Sequence, residues 1–83
     1  MPNLTVITES LAANGYVLNP AADYRDVEYS RNLSDGTLET VIIDFPGNTV
    51  IKQRYSAKGT QIDYAEVDVL KPGNMSLALR LAA

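Results

Sequence analysis

The sequence predicts an α+β domain, an N-terminal helix packed on a four- or five-stranded antiparallel meander sheet. Three observations carry that expectation. Apolar residues near the start recur with a helical period, and from Val27 onward the apolar pattern changes to period two. Turn signals then follow at short intervals: Ser34-Asp35-Gly36-Thr37, Pro46-Gly47-Asn48, Ser56-Ala57-Lys58-Gly59 and Lys71-Pro72-Gly73-Asn74. Short turns make sequential strands pair with each other, and a helix laid on one face is the usual way to bury both apolar surfaces.

The helix is predicted over Asn3 to Asn14, where Leu4, Ile7 and Leu11 form one stripe. Asn3 can cap its start, and Asn14-Gly15 can end it with a left-handed residue. The β-branched run Thr5-Val6-Ile7-Thr8 opposes this, because such side chains lose rotamer freedom in a helix. Its rival is a short strand followed by a helical turn. Tyr16-Val17-Leu18 then runs into Asn19-Pro20, where proline forces extended geometry, and Ala21 to Asp26 reads as a connection to the sheet.

In the first strand Val27, Tyr29 and Leu33 share a face opposite Glu28, Ser30 and Asn32. Asp35-Gly36 is a strong hairpin signal. Leu38 to Phe45 follows, with Val41, Ile43 and Phe45 on one face and Ile42 on the other, so this strand is expected to be central and covered on both sides. Pro46 cannot donate to a ladder and stops it. In Thr49 to Tyr55, Ile51 and Tyr55 point one way and Lys52 and Arg54 the other. The next strand, Thr60 to Leu70, has apolar residues of both parities. A β-bulge near Ala65-Glu66 would reconcile them and bend the sheet towards a partly closed barrel. Met75, Leu77, Leu79 and Leu81 alternate with Ser76, Ala78, Arg80 and Ala82, which predicts a fifth strand. A closing helix is the alternative, since leucine and alanine are good helix formers.

At 83 residues the chain has the length of a single domain, and its core is necessarily thin. An apolar share of 46% argues against disorder, and the net charge of −3 lacks the basic excess of a duplex-DNA binder. There is no apolar run long enough for a membrane helix, and Met1-Pro2-Asn3-Leu4-Thr5 lacks the charge of a secretory signal. Absence of cysteine fits a reducing compartment, so a cytoplasmic location is expected.

Without histidine or cysteine, Ser-His-Asp chemistry, Cys-His chemistry and the usual zinc sites are excluded. Glu66, Asp68 and Asp44 are the only carboxylates placed to suggest glycosidic acid–base work, and a solvated sheet face explains them more simply. Asp23, Asp26 and Glu28 cluster without the spacing of a calcium loop. Each glycine stands alone inside its own turn signal, so no phosphate-cradling loop is present. No cofactor and no metal are expected, and the chain reads as a non-enzyme.

Two surfaces remain. Arg31, Lys52, Arg54 and Lys58 are basic residues with Tyr29 and Tyr55 nearby in sequence, a combination suited to single-stranded nucleic acid or RNA. A helix followed by bent strands is similar in element order to Sm-like RNA-binding proteins. However, Val67-Asp68-Val69-Leu70 lacks that family's glycine-containing second motif, so the likeness is one of order alone. The other surface is a protein-binding one made of Tyr16, Tyr24 and Tyr64, with Leu77 and Leu79 on an exposed edge strand that a partner or a second copy would pair with. A homodimer is expected on that ground. By elimination the leading expectation is a small acidic protein-binding module, an inhibitor that occludes a partner's surface. Inhibitors carried by phages and mobile elements, anti-defence proteins among them, share this format.

Overall fold

A computed structural model describes residues 4–19 and 26–83 of the chain. In order these are α1 (Thr5–Ala13), β1 (Val17–Asn19), β2 (Asp26–Asn32), β3 (Leu38–Asp44), β4 (Thr49–Tyr55), β5 (Gln61–Asp68) and α2 (Asn74–Leu81). The strands form one antiparallel sheet in the order β1-β2-β3-β4-β5, as a meander should. Its ends do not pair, so the sheet stays open instead of closing towards a barrel.

The helical stripe prevails over the β-branched run because burial outweighs propensity. Leu4, Ile7 and Leu11 are all buried, and each such side chain contributes about 1.5–3 kcal/mol. α1 ends in a Schellman motif: Tyr16 N–H donates to Leu11 O at 3.0 Å and Gly15 N–H to Ala12 O at 3.3 Å. Gly15 supplies the left-handed residue at φ 88°, and Leu11 and Tyr16 then pack together in the core. The cap expected from Asn3 lies outside the described residues.

The β2–β3 and β4–β5 hairpins have the same turn. Leu33 N–H donates to Thr37 O and Gly36 N–H to Leu33 O, and Ser56, Thr60 and Gly59 repeat the pattern. Gly36 and Gly59 take φ of 88° and 87°. The two tips meet, since a Cβ on Gly36 would lie 2.9 Å from that of Ala57.

Two expectations are corrected. The fifth strand is β1, and residues 74–81 form α2. Met75, Ala78, Leu79 and Ala82 recur at helical spacing, and Ala78 and Ala82 are fully buried while Met75 and Leu79 pack against the core. Small residues at two of these positions let the helix approach closely, and that signal outweighs the leucine alternation. The leucine-rich run is therefore no exposed edge, and the argument for pairing a second copy through it fails. The bulge is also elsewhere. Arg54 pairs with Asp63 but Tyr55 with Gln61, so Ile62 is the extra residue. No slip is needed at Ala65-Glu66, because Tyr64 lies on the opposite face from Val67 and is half exposed.

Register rows divide the sheet into two faces. Val27, Ile43, Val50 and Val67 form one row, and Tyr29, Val41, Lys52 and Ala65 the next. This face carries the core under Leu4, Ile7 and Leu11 of the α1 end and Met75, Ala78 and Leu79 of α2. The other face is covered by neither helix. Gly36→Ala should cost about 2 kcal/mol or more, combining left-handed strain with the tip clash. Gly59→Ala, with nothing within 4 Å, should cost only about 1 kcal/mol. Urea unfolding of the two variants measures the difference.

Candidate functional site

The helix-covered face continues beyond its apolar rows into a row of charges. Arg31, Glu39, Arg54 and Asp63 are cross-strand neighbours, with Lys52 one row inward. Glu39 is buried, with a side chain 6% exposed, against 22% for Arg31, 14% for Lys52 and 37% for Arg54. Arg31 Nε donates to Glu39 Oε1 at 2.7 Å. Lys52 Nζ lies 3.4 Å from Oε2. Arg54 Nε lies 3.3 Å from the same oxygen, close enough for charge attraction, but it donates no hydrogen bond.

One carboxylate does not neutralise Arg31, Lys52 and Arg54. The fold supplies further negative potential from both helix ends. Arg31 Nη1 donates to Asn14 O at 2.7 Å, just past α1, and Nη2 to Ala83 O at 2.8 Å, just past α2. Cations at helix C-termini are stabilised by the unpaired carbonyls and the macrodipole. Asn14 Nδ2 adds a bond to Ala82 O at 3.0 Å. The Arg31 guanidinium also stacks over the Tyr16 ring, 4.2 Å from its centroid. Burial pushes the Glu39 carboxyl upward, but Arg31 and Lys52 together outweigh it and hold the group below its usual range.

The expected basic surface is thus turned inward. Arg31 and Lys52 serve Glu39 and the helix ends, and Arg54 is partly engaged there. Lys58 alone of the candidate bases is an exposed residue, in the β4–β5 turn. Tyr29 packs against the core, so it offers no stacking platform.

The face away from both helices, the open face, has the opposite character. Its central row is Glu28, Ile42, Ile51 and Glu66, so two directly paired isoleucines are flanked by carboxylates. One row towards the Pro46 turn stand Asp26, Asp44, Thr49 and Asp68. One row the other way stand Val17, Ser30, Thr40, Gln53 and Tyr64. Beyond those lies Tyr55, whose hydroxyl donates to Gln53 Oε1 at 2.8 Å. Tyr64 is 50% exposed. Thr40 is buried, and its hydroxyl finds no hydrogen-bond partner among the described residues. At the acidic end a recess of about 400 Å³ is lined by Thr49, Glu66, Asp68, Lys71 and Asn74.

The expected protein-binding residues scatter. Tyr16 is corrected: it is 4% exposed, held by Leu11 and Arg31, and presents nothing to a partner. Tyr64 is on the open face. Leu77 is exposed on α2, whereas Leu79 packs against the core. Tyr24 and Asp23 lie outside the described residues. Ile42 and Ile51, the centre of the open face, were visible in the sequence only as apolar residues of the wrong parity. Among the described residues no group of three or more acids is arranged to hold a metal ion, and no helix is long and apolar enough to cross a membrane. No protein-family model, curated protein or solved structure matches the chain.

Replacing Glu39 by glutamine keeps its shape and removes its charge, leaving Arg31, Lys52 and Arg54 to repel one another. The expected loss is about 2–4 kcal/mol, near the lower end for a broken buried pair because Arg54 is partly solvated. The native carboxyl is depressed, so its contribution is complete above the unfolded value of about 4.3 and is lost as pH falls through the folded value. The gap between wild type and Glu39→Gln in denaturant titrations should therefore be widest near neutrality and shrink in acid.

Proposed function

We propose that this chain is a non-catalytic protein-binding domain that works by occlusion, laying the face of its sheet away from both helices on a partner. One observation carries the reading. The sheet keeps paired isoleucines, Ile42 and Ile51, at the centre of a face that neither helix covers. An apolar patch ringed by polar groups is the ordinary anatomy of an interaction site. Tyr64 and Tyr55 lie beside it, and tyrosine buries much area at little rotamer cost.

A rigid meander suits occlusion. Strand ladders fix the positions of these side chains before binding, which reduces the ordering cost of association. Binding of RNA or single-stranded DNA has weaker support, because Arg31, Lys52 and Arg54 face the helices and share Glu39.

A photo-crosslinking residue placed at Tyr64 or Glu28, in cells of the organism that makes the protein, should capture a protein on irradiation. The same residue at Leu77 or Glu9, on the helix side, should not. Capture from the helix positions alone, or from none, would overturn the assignment of the face.

A further inference from the structure

The two faces of the sheet sort their charges by sign. Every lysine and arginine within the described strands, Arg31, Lys52 and Arg54, is on the helix side. The open face carries Asp26, Glu28, Asp44, Glu66 and Asp68 and no strand-borne base. Only Glu39 and Asp63 among the strand acids lie on the helix side, beside those cations.

This sorting has a cost. Asp26 and Asp44 are direct cross-strand partners, and like charges placed opposite each other weaken a sheet. Asp44 is partly occupied, accepting the Gly47 N–H at 3.0 Å. Asp68 Oδ1 likewise accepts the Leu70 N–H at 3.0 Å. Nothing comparable answers Asp26 and Glu66 among the described residues. The face is therefore apolar in the middle, acidic towards the Pro46 turn and neutral towards Tyr64 and Tyr55.

From this we infer that the partner docked on the open face is a cationic protein surface. Its apolar side chains cover Ile42 and Ile51, and its lysines or arginines lie over Asp26, Glu28, Glu66 and Asp68. This rests on the reading of the open face as a binding surface and adds the chemistry of what binds. Charge complementarity excludes the obvious rival. A second copy docked face to face would bring the acidic ends together or set acid against the Tyr64 end, with no base on the described strands of that face to answer either. A cationic partner offsets the Asp26–Asp44 repulsion, and the recess beside Glu66 and Asp68 has room for a long basic side chain. Lys71 also lines this recess and would share it with such a side chain.

The test uses a defined probe, a peptide of about ten residues alternating lysine and valine, matched to the period of a strand face. A glutamate–valine peptide of the same length is the control. Amide spectra of the labelled chain should shift at Glu28, Ile42, Ile51 and Glu66 with the lysine peptide and not with the glutamate peptide. The affinity should fall at least about tenfold between roughly 0.05 M and 0.5 M salt. Asp26→Lys should raise the melting temperature by about 2–5 °C, because it relieves the opposition to Asp44. The same variant should bind the lysine peptide about fivefold more weakly. A stable variant with weaker binding cannot be explained by failure to fold.

Equal binding of both peptides at the isoleucines would overturn the cationic partner while leaving the open face a docking surface. Shifts confined to the helix side, or none with the lysine peptide, would also overturn it. Shifts at the same amides on concentrating the chain alone would identify a second copy as the occupant and overturn it too. Crosslinking from Tyr64 and Glu28 reports on the face itself, so the two readings can fail separately.

Discussion

The bond between Arg31 and Glu39 joins three parts of the molecule. Glu39 belongs to the central strand and is almost fully buried; Arg31 belongs to the neighbouring strand and reaches past the carboxylate to the ends of both helices. A buried carboxylate without such a partner would cost several kcal/mol. A guanidinium suits the position because its donors spread in a fixed planar fork, with one edge for Glu39 and the others for Asn14 and Ala83. An ammonium could not span those acceptors from one rigid plane. The Tyr16 ring completes the site on a third side, so the Schellman turn, the sheet and α2 are locked by one side chain.

That arrangement determines what the surface can do. In a domain with few bases, drawing Arg31, Lys52 and Arg54 towards Glu39 and the helix ends removes positive charge from the sheet's outer side. The open face keeps acids around Ile42 and Ile51, and its electrostatics follow from the internal demand of the fold. Surface ion pairs contribute little to stability, but the sign of a broad face governs which partners approach and how fast. The repulsion between Asp26 and Asp44 is tolerated within a sheet held by apolar rows on its other side.

Much of the fold was legible in the residues. Period-two runs and Asp35-Gly36, Pro46-Gly47 and Lys58-Gly59 place β2 to β5 closely, because hairpin geometry is local and the sheet side chains alternate strictly. α2 was harder. Met75 to Leu81 satisfies both periods, and the decision rests on Ala78 and Ala82 being buried in the core, which is tertiary information. The bulge is harder to place, because Tyr64 shares the parity of Ile62 and tyrosine sits equally well on an open face. The site was half visible. Opposite parity for Ile51 and Lys52 was evident, but which of the two faces the helices would take was not. With the apolar rows Val27, Ile43, Val50 and Val67 on the Lys52 side, the helices settle there and enclose the bases.

The central claim is that Arg31 and Glu39 act as one structural unit, so that the basic side chains are committed inside. A double-mutant cycle on Arg31→Met and Glu39→Met, read by urea unfolding, tests it most directly. The account predicts that the double variant is less destabilised than the sum of the singles by about 1–3 kcal/mol, because each single change strands the other's charge. Additivity within about 0.3 kcal/mol would contradict it, and would return Arg31 to the list of residues free to meet a ligand.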